Sequence, residues 1–102
     1  MLLLPACGGG LPLDAFREGR YPAAAEELRE LEGDARKYPA EEQARYALYR
    51  GLTHLALGDA RQADHWLVLA KRAADRHPTW FDRAEMGSLI SAWRSLGRMP
   101  GE

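Results

Sequence analysis

The side chains in this 102-residue chain best suited to chemistry are three histidines, His54, His65 and His77, and one cysteine, Cys7. A zinc or related metal site needs several His, Cys or carboxylate ligands to converge. The usual sequence signs of that are paired cysteines or a His-Glu-x-x-His helix. Neither is present, and the histidines are too widely separated in sequence to serve one ion. The single Cys7 excludes an intrachain disulfide. No Ser/His/Asp motif marks a nucleophile, and no glycine-rich phosphate loop precedes a helix. The expectation is therefore a chain without catalytic residues, metal or cofactor, in which His65 is solvated and His77 sits at a helix C-terminus, where a cation is favoured.

Composition points the same way. Charged residues make up 28% with a net charge of −1, and no Lys/Arg cluster forms a basic face, so no nucleic-acid partner is expected. Val, Ile and Thr are scarce whereas Ala, Leu, Glu and Arg abound, which favours helix over strand. Hydrophobic residues reach 46%, much of it alanine. Helices can then pack closely, but each contact buries little area. The chain suits one small all-α domain whose thin core leans on Trp66, Trp80, Phe81 and Trp93. No apolar run approaches the ~20 residues needed to span a bilayer.

The elements that must position these residues are read from periodicity. A short helix lies between Leu11 and Glu18 and stops at Gly19. Tyr21-Pro22 opens a second, with the proline in a first turn where its missing N–H costs nothing. Its apolar stripe is Ala24, Leu28, Leu31 and Ala35, and Gly33 weakens the last turn before Pro39. A third helix begins with Glu41-Glu42 and runs to Leu57. Gly51 in its middle costs about 1 kcal/mol relative to alanine, which implies close approach of a neighbour. Asp59 is a good N-cap for a fourth helix with the stripe Ala63, Leu67, Ala70 and Ala74. Thr79 and Asp82 have the spacing of a capping box for a fifth, which carries Met86, Leu89, Ile90, Trp93 and Leu96 and ends at Gly97. Residues 1–10 form an N-terminal segment, 11–97 the helical domain and 98–102 a disordered tail.

These helices repeat. Gly19, Ala24, Leu28, Leu31, Ala35 and Pro39 recur 39 positions later as Gly58, Ala63, Leu67, Ala70, Ala74 and Pro78, and one further step leads to Gly97. A period of this size is the mark of a helical array whose units cannot bury an apolar face alone.

The pattern resembles the tetratricopeptide repeat (TPR), best between Pro39 and Pro78. Gly51 matches the close-contact glycine of the first helix, Ala63 and Leu67 the small and bulky pair of the second, and Pro78 the terminal proline. Ala47, Arg50 and His54 stand where Trp, Leu and Tyr are typical. The period of 39 exceeds the family's usual ~34, which leaves room for the longer HEAT and armadillo classes. The resemblance implies a short right-handed α-solenoid of about two and a half helix pairs, about five helices, the last one capping. His54 then replaces a core tyrosine.

The resemblance also implies a function: non-enzymatic binding of a protein or peptide in a concave groove lined by the first helix of each pair. Phe16, Arg17, Arg45, Tyr49, Leu52 and Arg94 would face that groove, the arginines pairing with acidic groups. The alternative is that these residues pack against one another in a closed bundle or homodimer. The Lys/Asn carboxylate clamp of some TPR proteins is not expected, since Leu48 and Leu52 stand in its place. Trp66-Leu67-Val68-Leu69 is more apolar than one stripe can bury, so Trp66 and Val68 are candidates for a second partner surface.

At the amino terminus, Leu4-Pro5-Ala6-Cys7 resembles the lipobox of bacterial lipoproteins, and Gly8 to Gly10 resembles the flexible tether that follows the lipidated cysteine. The apolar stretch before Cys7 is too short for a signal-peptide core and no basic segment precedes it. Two readings stay open. In one, Cys7 is lipidated and the protein is an outer-membrane lipoprotein facing the periplasm, with membrane contact only through that anchor, assisting assembly of a multiprotein complex. In the other, Cys7 is a free thiol on a cytoplasmic adaptor, chaperone or self-associating subunit.

Overall fold

The computed structural model describes residues 10–99 and 101. Among them are only helices and turns: α1 (Asp14–Arg17), α2 (Tyr21–Glu30), α3 (Glu32–Ala35), α4 (Ala40–Ala56), α5 (Ala60–Arg76) and α6 (Arg83–Ser95), with a 3-10 turn at Pro78–Trp80. The all-α expectation holds. Cys7 and the lipobox lie outside the described residues.

The glycines at the 39-residue offset do the same physical work three times. Gly19, Gly58 and Gly97 have φ of +78°, +80° and +81°, the left-handed conformation that strains any side-chain-bearing residue. Gly58 N donates to Leu55 O and Asp59 N to His54 O, the Schellman pair that satisfies the last carbonyls of α4. The same bonds close α1 (Gly19 N to Phe16 O, Arg20 N to Ala15 O) and α6 (Gly97 N to Arg94 O, Arg98 N to Trp93 O). Burial repeats as well. Ala24 and Ala63, Leu28 and Leu67, and Ala35 and Ala74 are all buried.

The longest helices, α4 and α5, are joined by three residues and share the most extensive packing in the fold. Gly51 sets their separation. A Cβ there would stand 2.5 Å from Leu67 Cγ and 3.2 Å from its backbone nitrogen, so only a bare backbone lets Leu67 in. Helix α2 packs on one side of α4, and α6 rests on both α4 and α5. Asp59 caps α5 by accepting from Gln62 N. The connection into α4 is held by Gln43, whose Nε2 donates to the carbonyls of Arg36 and Tyr38.

Three expectations are corrected in detail. The helix before Pro39 is two helices, making six α-helices and not five among the described residues, because the chain breaks at Leu31. There the Leu28 carbonyl accepts the Tyr46 hydroxyl as well as Leu31 N, and Gly33 adds little propensity to carry the helix through. The capping box is one turn later than Thr79–Asp82. Pro78–Trp80 is spent on the 3-10 turn, and Asp82 itself is the N-cap of α6, paired with Glu85. Residue 98 does not start a free tail, since Arg98 pairs with Asp64 at 2.7 Å and Trp93 Nε1 donates to Met99 O at 2.8 Å.

Candidate functional site

Helices α1, α4 and α6 each present one side to a shared groove of about 260 Å³, lined by Phe16, Arg17, Tyr49, Leu52 and Ser88 among others. Phe16 enters because the Gly19 turn brings α1 back alongside α2. Its ring meets Tyr49 edge-on at 5.2 Å and Tyr21 at 5.6 Å between centroids. Arg17 is exposed and makes no ion pair among the described residues. Leu52 is half-buried. Beyond it the groove widens between α4 and α6 over Leu55, Gly87 and Ser91.

The floor is built by Glu85, a residue that sequence reasoning did not single out. It is 6% exposed, and its two oxygens serve two tasks. Oε1 accepts from Asp82 N at 3.0 Å while Glu85 N donates to Asp82 Oδ1 at 2.7 Å, which closes the capping box. Oε2 accepts from Arg45 Nη2 at 3.0 Å and from the Tyr49 hydroxyl at 2.9 Å, tying α6 to α4. Burial, and then the Glu85 carboxylate beside it, pushes the Tyr49 phenol up to about 12. The signal in the sequence was Asp82-x-x-Glu85, a capping box in a different register from Thr79–Asp82.

The structure therefore sorts the expected site residues. Phe16, Arg17, Tyr49 and Leu52 come together. Arg45 and Tyr49 are engaged by Glu85 inside the chain, so the Tyr49 hydroxyl is already paired. Arg94 lies apart from this groove, on the outer side of α6. Trp66 and Val68 lie on α5 and are half-buried. The Trp66 ring is covered by the Arg50 guanidinium at 4.5 Å and meets Tyr46 at 5.7 Å. The outward member of that apolar run is Leu69, 42% exposed.

Arg50, at the position where the repeat resemblance calls for leucine, is 5% exposed. Its Nη1 donates to Glu32 Oε1 and to the Tyr46 hydroxyl, both at 3.0 Å, while Nε lacks a partner among the described residues. This arginine locks α3 to α4 and α5. His54 is 3.5 Å from it. Burial and the Arg50 charge hold His54 below the usual histidine range. His65 is exposed beside Trp66, and His77 caps α5 and stacks on Trp80 at 4.0 Å. No group of three His, Cys or carboxylate residues is placed to hold a metal among the described residues, and no described helix is long and apolar enough to cross a membrane.

Comparison with protein-family models, with curated proteins and with solved structures gives no match to this chain. The repeat resemblance accordingly stands on the residues quoted for it.

Proposed function

We propose that this chain is a protein-interaction module of the tetratricopeptide type. In this reading α1 with α2–α3 and α4 with α5 are successive helix pairs in a short right-handed solenoid, and α6 opens a third. Support comes from the shared helix ends at Gly19, Gly58 and Gly97 and from the matched burial of the two small-bulky stripes.

The observation that carries the binding reading is the groove where α1, α4 and α6 converge. It offers Phe16 and Leu52 as apolar contacts, Arg17 as a cation unpaired among the described residues, and a floor already satisfied by Glu85. A floor without unpaired polar groups costs little to cover, and a lone cation at the rim selects for a carboxylate. The occupant is a peptide segment, extended or helical, with an apolar residue for the Phe16–Leu52 cleft and an acidic residue for Arg17.

Selection of displayed peptides against the intact chain tests this. Enriched sequences are expected to share an apolar-acidic pair and to lose at least tenfold in affinity to Leu52→Glu and severalfold to Arg17→Glu. Enriched peptides indifferent to both substitutions would place the binding surface elsewhere.

Anchoring to the cell envelope through Cys7 is part of the same proposal and rests on the lipobox resemblance alone. Intact mass of the natively expressed protein decides it. Loss of residues 1–6 with added acyl mass supports the anchor, and an unmodified Met1 chain removes it.

A further inference from the structure

Because α4 and α6 end in the same hydrogen-bond pattern, the 39-residue offset aligns them residue by residue. Met86 falls on Ala47, Gly87 on Leu48, Ile90 on Gly51 and Arg94 on Leu55. In α4 this is the side covered by α5. Ala47, Leu48 and Gly51 are buried there, and Gly51 is the point of closest approach to Leu67.

Next to that side along α4, Tyr46 and Arg50 reach back to the preceding unit through the Leu28 carbonyl and Glu32, while both also touch Trp66 of α5. Those two positions align on Glu85 and Leu89, which α6 likewise buries against the elements before it. Helix α6 is thus seated as α4 is, with one side on the preceding unit. Its other side has the register of a helix-docking face.

No helix follows Gly97 among the described residues, and that side of α6 is open. It carries a shallow groove of about 950 Å³ with Pro78, Phe81, Met86 and Ile90 on its walls, together with Asp82, whose carboxylate accepts from Glu85 N as the cap of α6. Arg83 and Arg94 flank the groove, both exposed and without an ion pair among the described residues. Eleven positions apart on one helix, they stand roughly 16 Å from each other along its axis.

We propose that the outer face of α6 docks an acidic amphipathic helix of another protein, laid across it as α5 lies across α4. Two features define the occupant. Ile90 fills the space that Gly51 leaves open in α4, so the incoming helix carries a small residue where α5 carries Leu67. Carboxylates near both of its ends meet Arg83 and Arg94, because two unpaired cations at the ends of an apolar strip select for that charge pattern. The site is separate from the groove between α1, α4 and α6, and the inference rests on the helix register.

The probe is a synthetic peptide with the sequence Asp59–Arg76 carrying Leu67→Ala, Arg61→Glu, Arg72→Glu and Arg76→Glu. A control peptide keeps Leu67→Ala and the native arginines and adds Asp64→Lys and Asp75→Lys. Both are labelled and titrated with the intact chain by fluorescence anisotropy. The acidic peptide is expected to bind at least tenfold more tightly than the basic one. The double variant Arg83→Glu/Arg94→Glu, fully on the surface, should reverse that preference. Ile90→Glu should abolish binding with helicity unchanged by circular dichroism, and Leu52→Glu should leave it intact, which separates this site from the groove. Equal binding of the two peptides, or none at millimolar chain, overturns the proposal. So does sedimentation of the chain alone as a dimer that Ile90→Glu dissociates, since the occupant is then a second copy.

Discussion

Replacing Gly51 with alanine puts the close approach of α4 and α5 to a quantitative test. The added methyl would lie 2.5 Å from Leu67 Cγ, 2.6 Å from Cδ2 and 3.2 Å from the Leu67 backbone nitrogen. Leu67 is fully buried, so its side chain has no free volume to retreat into, and relief requires the two helices to separate. Overpacking of this kind costs about 1–3 kcal/mol. Against it stands the gain of about 0.5–1 kcal/mol from removing a mid-helix glycine. The net expectation is a loss of about 1–2 kcal/mol. Gly33→Ala is the matched control, because Gly33 lies within α3 and a Cβ there meets nothing within 4 Å. It should gain about 0.5–1 kcal/mol by the same propensity argument. Urea unfolding followed by far-UV circular dichroism measures both, with an unchanged m-value showing that the native fold is kept. Gly51→Ala combined with Leu67→Ala should cost less than the sum of the two single changes, by about 1 kcal/mol or more, because the two sites touch. A Gly51→Ala protein as stable as Gly33→Ala would refute the claim that this glycine sets the helix spacing.

Other consequences follow from the buried polar groups. Arg50→Leu should be nearly neutral, since Glu32 is partly exposed and can be solvated while Tyr46 keeps its bond to Leu28 O. Arg50→Ala should cost about 2 kcal/mol or more by leaving a void beneath Trp66, and a urea titration separates the two. The neutral Tyr49 phenol is favoured in the folded state. Its stabilisation is therefore full below the ordinary tyrosine value of 10.0 and is lost as pH rises towards about 12. Tyr49→Phe should flatten that alkaline fall in the midpoint of thermal unfolding. His54 is held neutral, so its contribution is full above the ordinary 6.5 and is lost as pH falls through and below that value. His54→Gln should remove that acid-side loss in the same assay.

What the sequence made legible is what depends on local backbone physics. Only glycine closes a helix cheaply at positive φ, so Gly19, Gly58 and Gly97 mark three helix ends in the sequence itself. A glycine retained inside α4 against its propensity cost pointed to the contact with Leu67. Less legible was anything decided by partners far along the chain. The break at Leu31 depends on a hydroxyl from Tyr46, and nothing near Leu31 announces it. Arg45 and Tyr49 read as groove-facing, and their engagement by Glu85 appears only once α6 lies beside α4. The α6 capping box was missed because Thr79–Asp82 and Asp82–Glu85 share a residue. The 3-10 turn after Pro78 selects the second. Arg94 lies outside the groove expected for it. Helical spacing puts it near Ser91, but it lies on the outer rim of α6 and not in the shared groove.

The central claim is that the surface shared by α1, α4 and α6 binds a peptide segment. Amide shift mapping of the labelled, intact chain with a peptide selected against it tests this most directly. The expected perturbations cluster at Phe16, Arg17, Leu52 and Ser88 and vanish in Leu52→Glu. Perturbations confined to the Trp66–Leu69 face of α5, or persisting unchanged in Leu52→Glu, would contradict it.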